Sequence, residues 1–177
     1  MRRLAMWLAL SVVVAPAFAQ QSLPEFLIQS TAGPIELRYV DYAWNPEAFD
    51  AMESGGSHPA AGRSWMLAVL RLQDPVRFEG RTLPVGASLL ILNPKHGASP
   101  MSFEIRDVDL RVMDVKPNVI GLPPKGETVK IVPATFEKVA ETKARLELVA
   151  SADGRDTLVV IRYGDRKATL RFLPRGE

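Results

Sequence analysis

The chain contains no cysteine. That excludes disulfide staples, a lipid anchor on a cysteine, a thiol nucleophile and thiolate metal sites. Histidine is almost as scarce, with only His58 and His96. No Gly-rich phosphate loop, dinucleotide fingerprint or G-x-S-x-G elbow occurs. Ser54 and His58 lie close together in SGGSH, but a hydrolytic triad is assembled from distant segments rather than from neighbours. Net charge is small as well, at +2.

That small excess belongs to the first twenty residues, MRRLAMWLALSVVVAPAFAQ. Arg2 and Arg3 form a basic start, residues 4–16 are almost wholly apolar, and Ala17-Phe18-Ala19 supplies a small–x–small cleavage pattern. The apolar run is short for a membrane span. The expectation is a signal peptide over 1–19 and a mature domain over 20–177, placed in a bacterial periplasm or secreted. Without Arg2 and Arg3 the basic and acidic residues balance, which removes the electrostatic case for nucleic-acid or anionic-membrane partners. The mature length is enough to bury a core without staples.

What is present is mostly strand signal. IELRYVDY (35–42) alternates apolar and polar residues, after a leader (20–34) with little periodicity. Asn45 followed by Pro46, with Gly55-Gly56 beyond, predicts one short helix over 45–52. SWMLAVLRL (64–72) reads as a strand covered on both faces, and Ala87–Leu92 is a second apolar run. FEIRDVDLRVMDV (103–115) alternates and then slips phase at Met113, as a β-bulge would cause. Residues 116–128 read as a connection.

The last third predicts a three-stranded meander. Asp153-Gly154 is a two-residue hairpin signal that pairs Leu148 with Val159 and Leu146 with Ile161. A second turn at Gly164-Asp165 pairs Val159 with Leu170. Both registers send Leu146, Leu148, Val159, Ile161, Leu170 and Phe172 to one face, and leave Arg145, Glu147, Arg162, Lys167 and Arg171 on the other. The expected fold is therefore mainly β, an antiparallel β-sandwich or closed barrel with one short helix, in a single domain.

VRFEGRTLPVGASLLILNP, through Gly80, Leu83, Pro84 and Gly86, resembles the strand–G–x–x–L–P–x–G–strand segment of the DUF2911 family of exported bacterial proteins. LELVASADGRDTLVVIRYGDRKATLRF (146–172) is similar to that family's closing strands. The resemblance covers residues 76–92 and 146–172 and implies a β-fold and export, but no reaction. Where that family carries a polar Trp-Arg-x-Gly-Ala-Asn motif the chain reads AAGRSWMLAV, with Arg63 and Trp65 in another order and no Asn.

Candidate chemistry is sparse. His58 and His96 lie in loops and could recruit Asp107 or Asp109 for a metal, but they lack zinc-site spacing. Asp107 and Asp109 share a predicted strand face about 6.5–7 Å apart, a separation open to hydrolysis or calcium. Arg106 and Arg111 beside them suit a solvated mixed-charge face instead. Tyr39, Tyr42, Trp44, Phe49 and Trp65, flanked by Arg38 and Arg63, could line a groove for a ligand; core packing is the simpler use of the same rings. The leading expectation is a non-catalytic binding module with no cofactor, acting on a small ligand or envelope protein through Arg38, Tyr42, Trp44, Arg63 and Trp65. A small hydrolase or metal-dependent enzyme and a structural envelope component are the alternatives.

Overall fold

The computed structural model describes residues 28–59, 61–108 and 126–175. The strands are β1 (Ile28–Ala32), β2 (Ile35–Tyr39), β3 (Trp65–Leu72), β4 (Val76–Phe78), β5 (Arg81–Leu83), β6 (Gly86–Asn93), β7 (Ser102–Asp107), β8 (Glu127–Pro133), β9 (Glu137–Asp153) and β10 (Asp156–Pro174). One helix, α1 (Pro46–Ser54), follows β2. Six strands form one antiparallel sheet in the order β1-β2-β3-β6-β7-β8, and four form a second in the order β5-β4-β10-β9. The arrangement is sandwich-like. Of the two expected architectures, the described strands give the sandwich and no closed barrel.

Alternation explains most of the core. Ile35, Leu37 and Tyr39 of β2, Leu90 and Leu92 of β6, and Phe103 and Ile105 of β7 face Leu146, Leu148, Val159, Ile161 and Phe172 of the other sheet. β3 is buried on both faces, as its apolar run predicts. Leu70 and Leu72 join the main core, while Met66 and Val69 join Ala87, Leu89, Ile91 and Val108 in a second cluster on the opposite face. A register shift between Met66 and Ala68 marks a bulge in β3.

The helix follows its signals. The Asn45 side chain accepts from the Ala48 amide at 3.0 Å, Pro46 opens the first turn, and Gly55 closes it in the left-handed region at φ 79°. Ala48, Phe49 and Met52 form its buried side. The β4–β5 turn places both Glu79 (φ 46°) and Gly80 (φ 79°) in the left-handed region, the geometry of a type I′ hairpin.

Three expectations are corrected. The leader contains a strand, β1, which pairs with β2 through a turn at Gly33 and shows little apolar signal because it is only half-buried. The β9–β10 loop is Gly154-Arg155 rather than Asp153-Gly154, so Leu148 pairs with Ile161 and Ala150 with Val159. That shift of two residues keeps every side chain on its expected face. The third strand of the meander does not exist. Gly164 takes φ 63° without reversing the chain, and β10 runs straight on. It can do so because β9 reaches back to Glu137 and supplies partners for Arg166 and Lys167, while β4 takes Leu173. The slipped phase expected at Met113 and residues 116–125 of the connection expected over 116–128 lie outside the described residues, while Glu127 and Thr128 of that stretch already belong to β8.

Candidate functional site

Beyond Tyr39 the chain leaves the six-stranded sheet and crosses to β9. The Leu146 amide donates to Tyr42 O and the Trp44 amide to Ala144 O, both at 2.8 Å, and Ala43 bridges Arg145. The Arg145 guanidinium binds the Asp41 carboxylate and also the Asp41 carbonyl, the latter at 3.1 Å. This crossing carries Tyr42 and Trp44 to the end of the sandwich where α1 sits. β9 accommodates it with extra residues between its pairs to Arg162 and Arg166.

Gly164 is the reason the crossing fits. A Cβ there would lie 2.1 Å from Trp44 Cε2, so the indole rests directly on bare backbone, and the positive φ independently favours glycine. Trp44 then meets Tyr163 edge-on at 4.6 Å and Phe49 at 5.6 Å. Trp65 approaches Tyr163 edge-on at 6.0 Å. Phe136, in the three-residue connection between β8 and β9, meets Phe49 edge-on at 5.0 Å and Phe103 at 5.5 Å. Edge-to-face contacts at such separations are the favoured aromatic geometry.

Phe49, Trp65 and Tyr163 are buried at the floor of this cluster, whereas Tyr42, Trp44 and Phe136 are half-buried at its rim. Between Tyr42, Phe49, Trp65 and Phe136 remains a cavity of about 10 Å³, closed on its other side by Leu67, Leu92, Leu146 and Ile161. That space admits no more than one water. Both nearby hydroxyls are committed, with Tyr163 Oη donating to Ala43 O at 2.6 Å and Tyr42 Oη to Met66 O at 3.3 Å. Burial pushes the Tyr42 phenol up to about 12 and raises Tyr163 as well. Neither phenol can serve as a base near neutrality. The cluster can hold apolar groups.

Of the residues expected to bind, Tyr42, Trp44 and Trp65 are therefore brought together. The two arginines are not part of the group. Arg38 alternates with Leu37 and Tyr39, so it points away from the core, where it pairs with Glu36. Arg63 is exposed in the turn before β3. The cation beside the rings is instead Arg166, 5.8 Å above the Phe49 ring and paired with Asp165, Asp50 and Glu53. Sequence reading missed Phe136, Tyr163 and Arg166. An aromatic residue followed by Gly is a signal for Tyr163, but here it reads as a turn.

His58 is half-buried and His96 exposed. His96 opens a tight turn in which it exchanges two backbone bonds of 3.0 Å with Ser99. Both loops border the C-terminal end of α1, since the Lys95 amide donates to Met52 O at 2.9 Å. Asp107 is exposed at the end of β7, and Asp109 lies outside the described residues. Among the described residues no three histidine or carboxylate side chains gather as a metal site.

One further carboxylate is buried, Glu104 of β7, on the sheet face away from the aromatic rings. Its Oε1 accepts from Thr128 Oγ1 at 2.7 Å and Arg106 Nε at 2.8 Å, and its Oε2 from Asn93 Nδ2 at 2.9 Å. Ser64 extends the chain by donating to Asn93 Oδ1 at 2.6 Å. Burial alone would raise the Glu104 pKa, but the bonds from Asn93, Thr128 and Arg106 with the Arg106 charge hold it below the ordinary glutamate value. An ionised and fully engaged carboxylate has no proton to give at neutral pH, which suits structure rather than general-acid chemistry.

No protein-family model, curated protein or solved structure matches the chain.

Proposed function

We propose that this chain is an exported, non-catalytic β-domain, periplasmic or secreted, that binds a small ligand or an envelope partner at its aromatic end. The observation that carries the reading is the ring cluster itself. Tyr42, Trp44 and Phe136 are half-buried above the buried rings, and Tyr42 and Phe136 also line a residual cavity there. Half-exposed rings over a buried aromatic floor are a common anchor for binding partners.

Export rests on the basic start, apolar run and Ala17-Phe18-Ala19 pattern. Kinship with DUF2911 rests on residues 76–92 and 146–172. In the fold these stretches form β4 to β6 and most of the β9–β10 ribbon, and Leu173, just beyond the second, pairs with Arg77 in the first.

Native mass spectrometry of the chain purified gently from exporting cells, without chelators, tests the reading. The expected result is a mass beginning at Gln20, a reproducible adduct, loss of that adduct in Trp44→Ala and its retention in His58→Ala. An adduct lost only in His58→Ala would move the function to the histidine loops. A bare, well-defined oligomer would favour an assembly role.

A further inference from the structure

The proposed binding role gains a ligand class from the cavity, and the inference below rests on that role. We propose that the space beneath Phe136 receives a neutral, flat apolar group, such as an arene or the ring of an aromatic side chain, and that Phe136 is the in-chain plug such a group displaces. The chemistry of the walls selects the class. Phe49 and Trp65 present rings, Leu67, Leu92, Leu146 and Ile161 present aliphatic groups, and the Tyr42 and Tyr163 hydroxyls are both spent on backbone carbonyls. A charged or hydrogen-bonding ligand would leave its polar atoms unpaired there, whereas a ring would meet edge-to-face partners.

The identity of the plug follows from where Phe136 is attached. The floor rings are fixed by secondary structure, Phe49 on α1, Trp65 on β3 and Tyr163 on β10. Phe136 belongs to a connection of three residues, Ala134–Phe136, outside the paired strands; the Ala134 amide donates to Met101 O at 2.8 Å, and the Phe136 ring rests against Phe49 and Phe103. It is half-buried, whereas Phe49, Trp65 and Tyr163 are buried. With the plug in place the free space is about 10 Å³. An apolar cavity on the order of 150 Å³ stays dry and takes up benzene, so the ring must leave before an arene can enter.

A ligand that competes with an in-chain group binds with its intrinsic affinity multiplied by the fraction of molecules already open. Removing the plug lifts that factor, which for an open state of roughly 0.1–10 % corresponds to a gain of about tenfold to a thousandfold.

Toluene, titrated into the purified exported chain and followed by methyl NMR, is the probe. Saturable shifts confined to Leu67, Leu92, Leu146 and Ile161 are expected in the wild type, with binding at least about tenfold tighter in Phe136→Ala. Phe136→Leu, which keeps an apolar side chain and a folded reference should the alanine variant lose structure, is expected to fall between them. Three results would overturn the proposal: no binding to the wild type at toluene saturation, shifts centred elsewhere, or equal affinity in wild type and plug variants. If toluene fails while a native adduct sensitive to Trp44→Ala persists, the binding role stands and only the ligand class is wrong. If no adduct exists but toluene binds as expected, the cavity inference survives alone.

Discussion

Phe103 and Glu104 are consecutive in β7 and almost equally hidden, at 1 % and 4 % exposure, but opposite physics hides them. Phe103 points between the sheets, against Phe136 and the main core. Its stability comes from apolar surface removed from water. Glu104 points to the other face of the same sheet and is buried as an ion. It is tolerated there because Arg106, Thr128 and Asn93 together engage both its oxygens. One face is specified by shape, the other by a closed set of partners. The lesson is that burial by itself says nothing about which kind of substitution a site will accept.

Each side of that contrast can be broken separately. Phe103→Ala is expected to have the largest effect, about 4 kcal/mol lost in urea unfolding, with the same loss at pH 7 and pH 4. Glu104→Ala is expected to cost about 3 kcal/mol at pH 7, near the lower end for breaking a buried pair because Arg106 keeps some contact with water. Unlike the first, this loss should shrink in acid. The folded-state pKa of Glu104 lies below its ordinary value of 4.5, so its contribution is complete above that value and disappears as pH falls through the depressed one. Glu104→Gln should therefore flatten the acid limb of the stability curve; a limb identical to wild type would show that other carboxylates govern it. The smallest effect is expected from the double replacement Glu104→Leu with Arg106→Met. Removing both charges together leaves none stranded, and the loss should be about 1 kcal/mol or less. A double variant as unstable as Glu104→Ala would mean that the polar set, rather than the avoidance of an unpaired charge, stabilises the sheet.

Much of the fold was legible because it depends on short-range periodicity. The alternation in 35–42, the two-faced burial of 64–72, the Asn45-Pro46 helix start and the apolar face of Leu146, Leu148, Val159, Ile161, Leu170 and Phe172 all follow from side-chain period and local capping. The third strand was misread for a long-range reason. Gly154 and Gly164 have nearly the same φ, 63° each, yet the first reverses the chain and the second does not. What separates them is whether a partner strand continues alongside, and that partner is β9, more than twenty residues upstream of Gly164 at its far end. The site was legible only in part for a similar reason. Tyr42, Trp44, Phe49 and Trp65 cluster in sequence, but Phe136 arrives from the β8–β9 connection and Tyr163 from β10, where its Tyr-Gly pair reads as a turn.

The sequence by itself determined which residues turn inward, because a strand's two faces are fixed by parity, and parity survives a register error of two. It also determined that a domain without cysteine must rest on its apolar core. The tertiary structure alone decided what those inward residues meet. Trp44 lies on Gly164 because the 42–44 crossing pairs with β9, and Arg166 rather than Arg38 stands over the rings because β10 continues past its bulge. Long-range strand pairing sets those meetings, and pairing depends on every competing partner in the chain, which no local stretch contains.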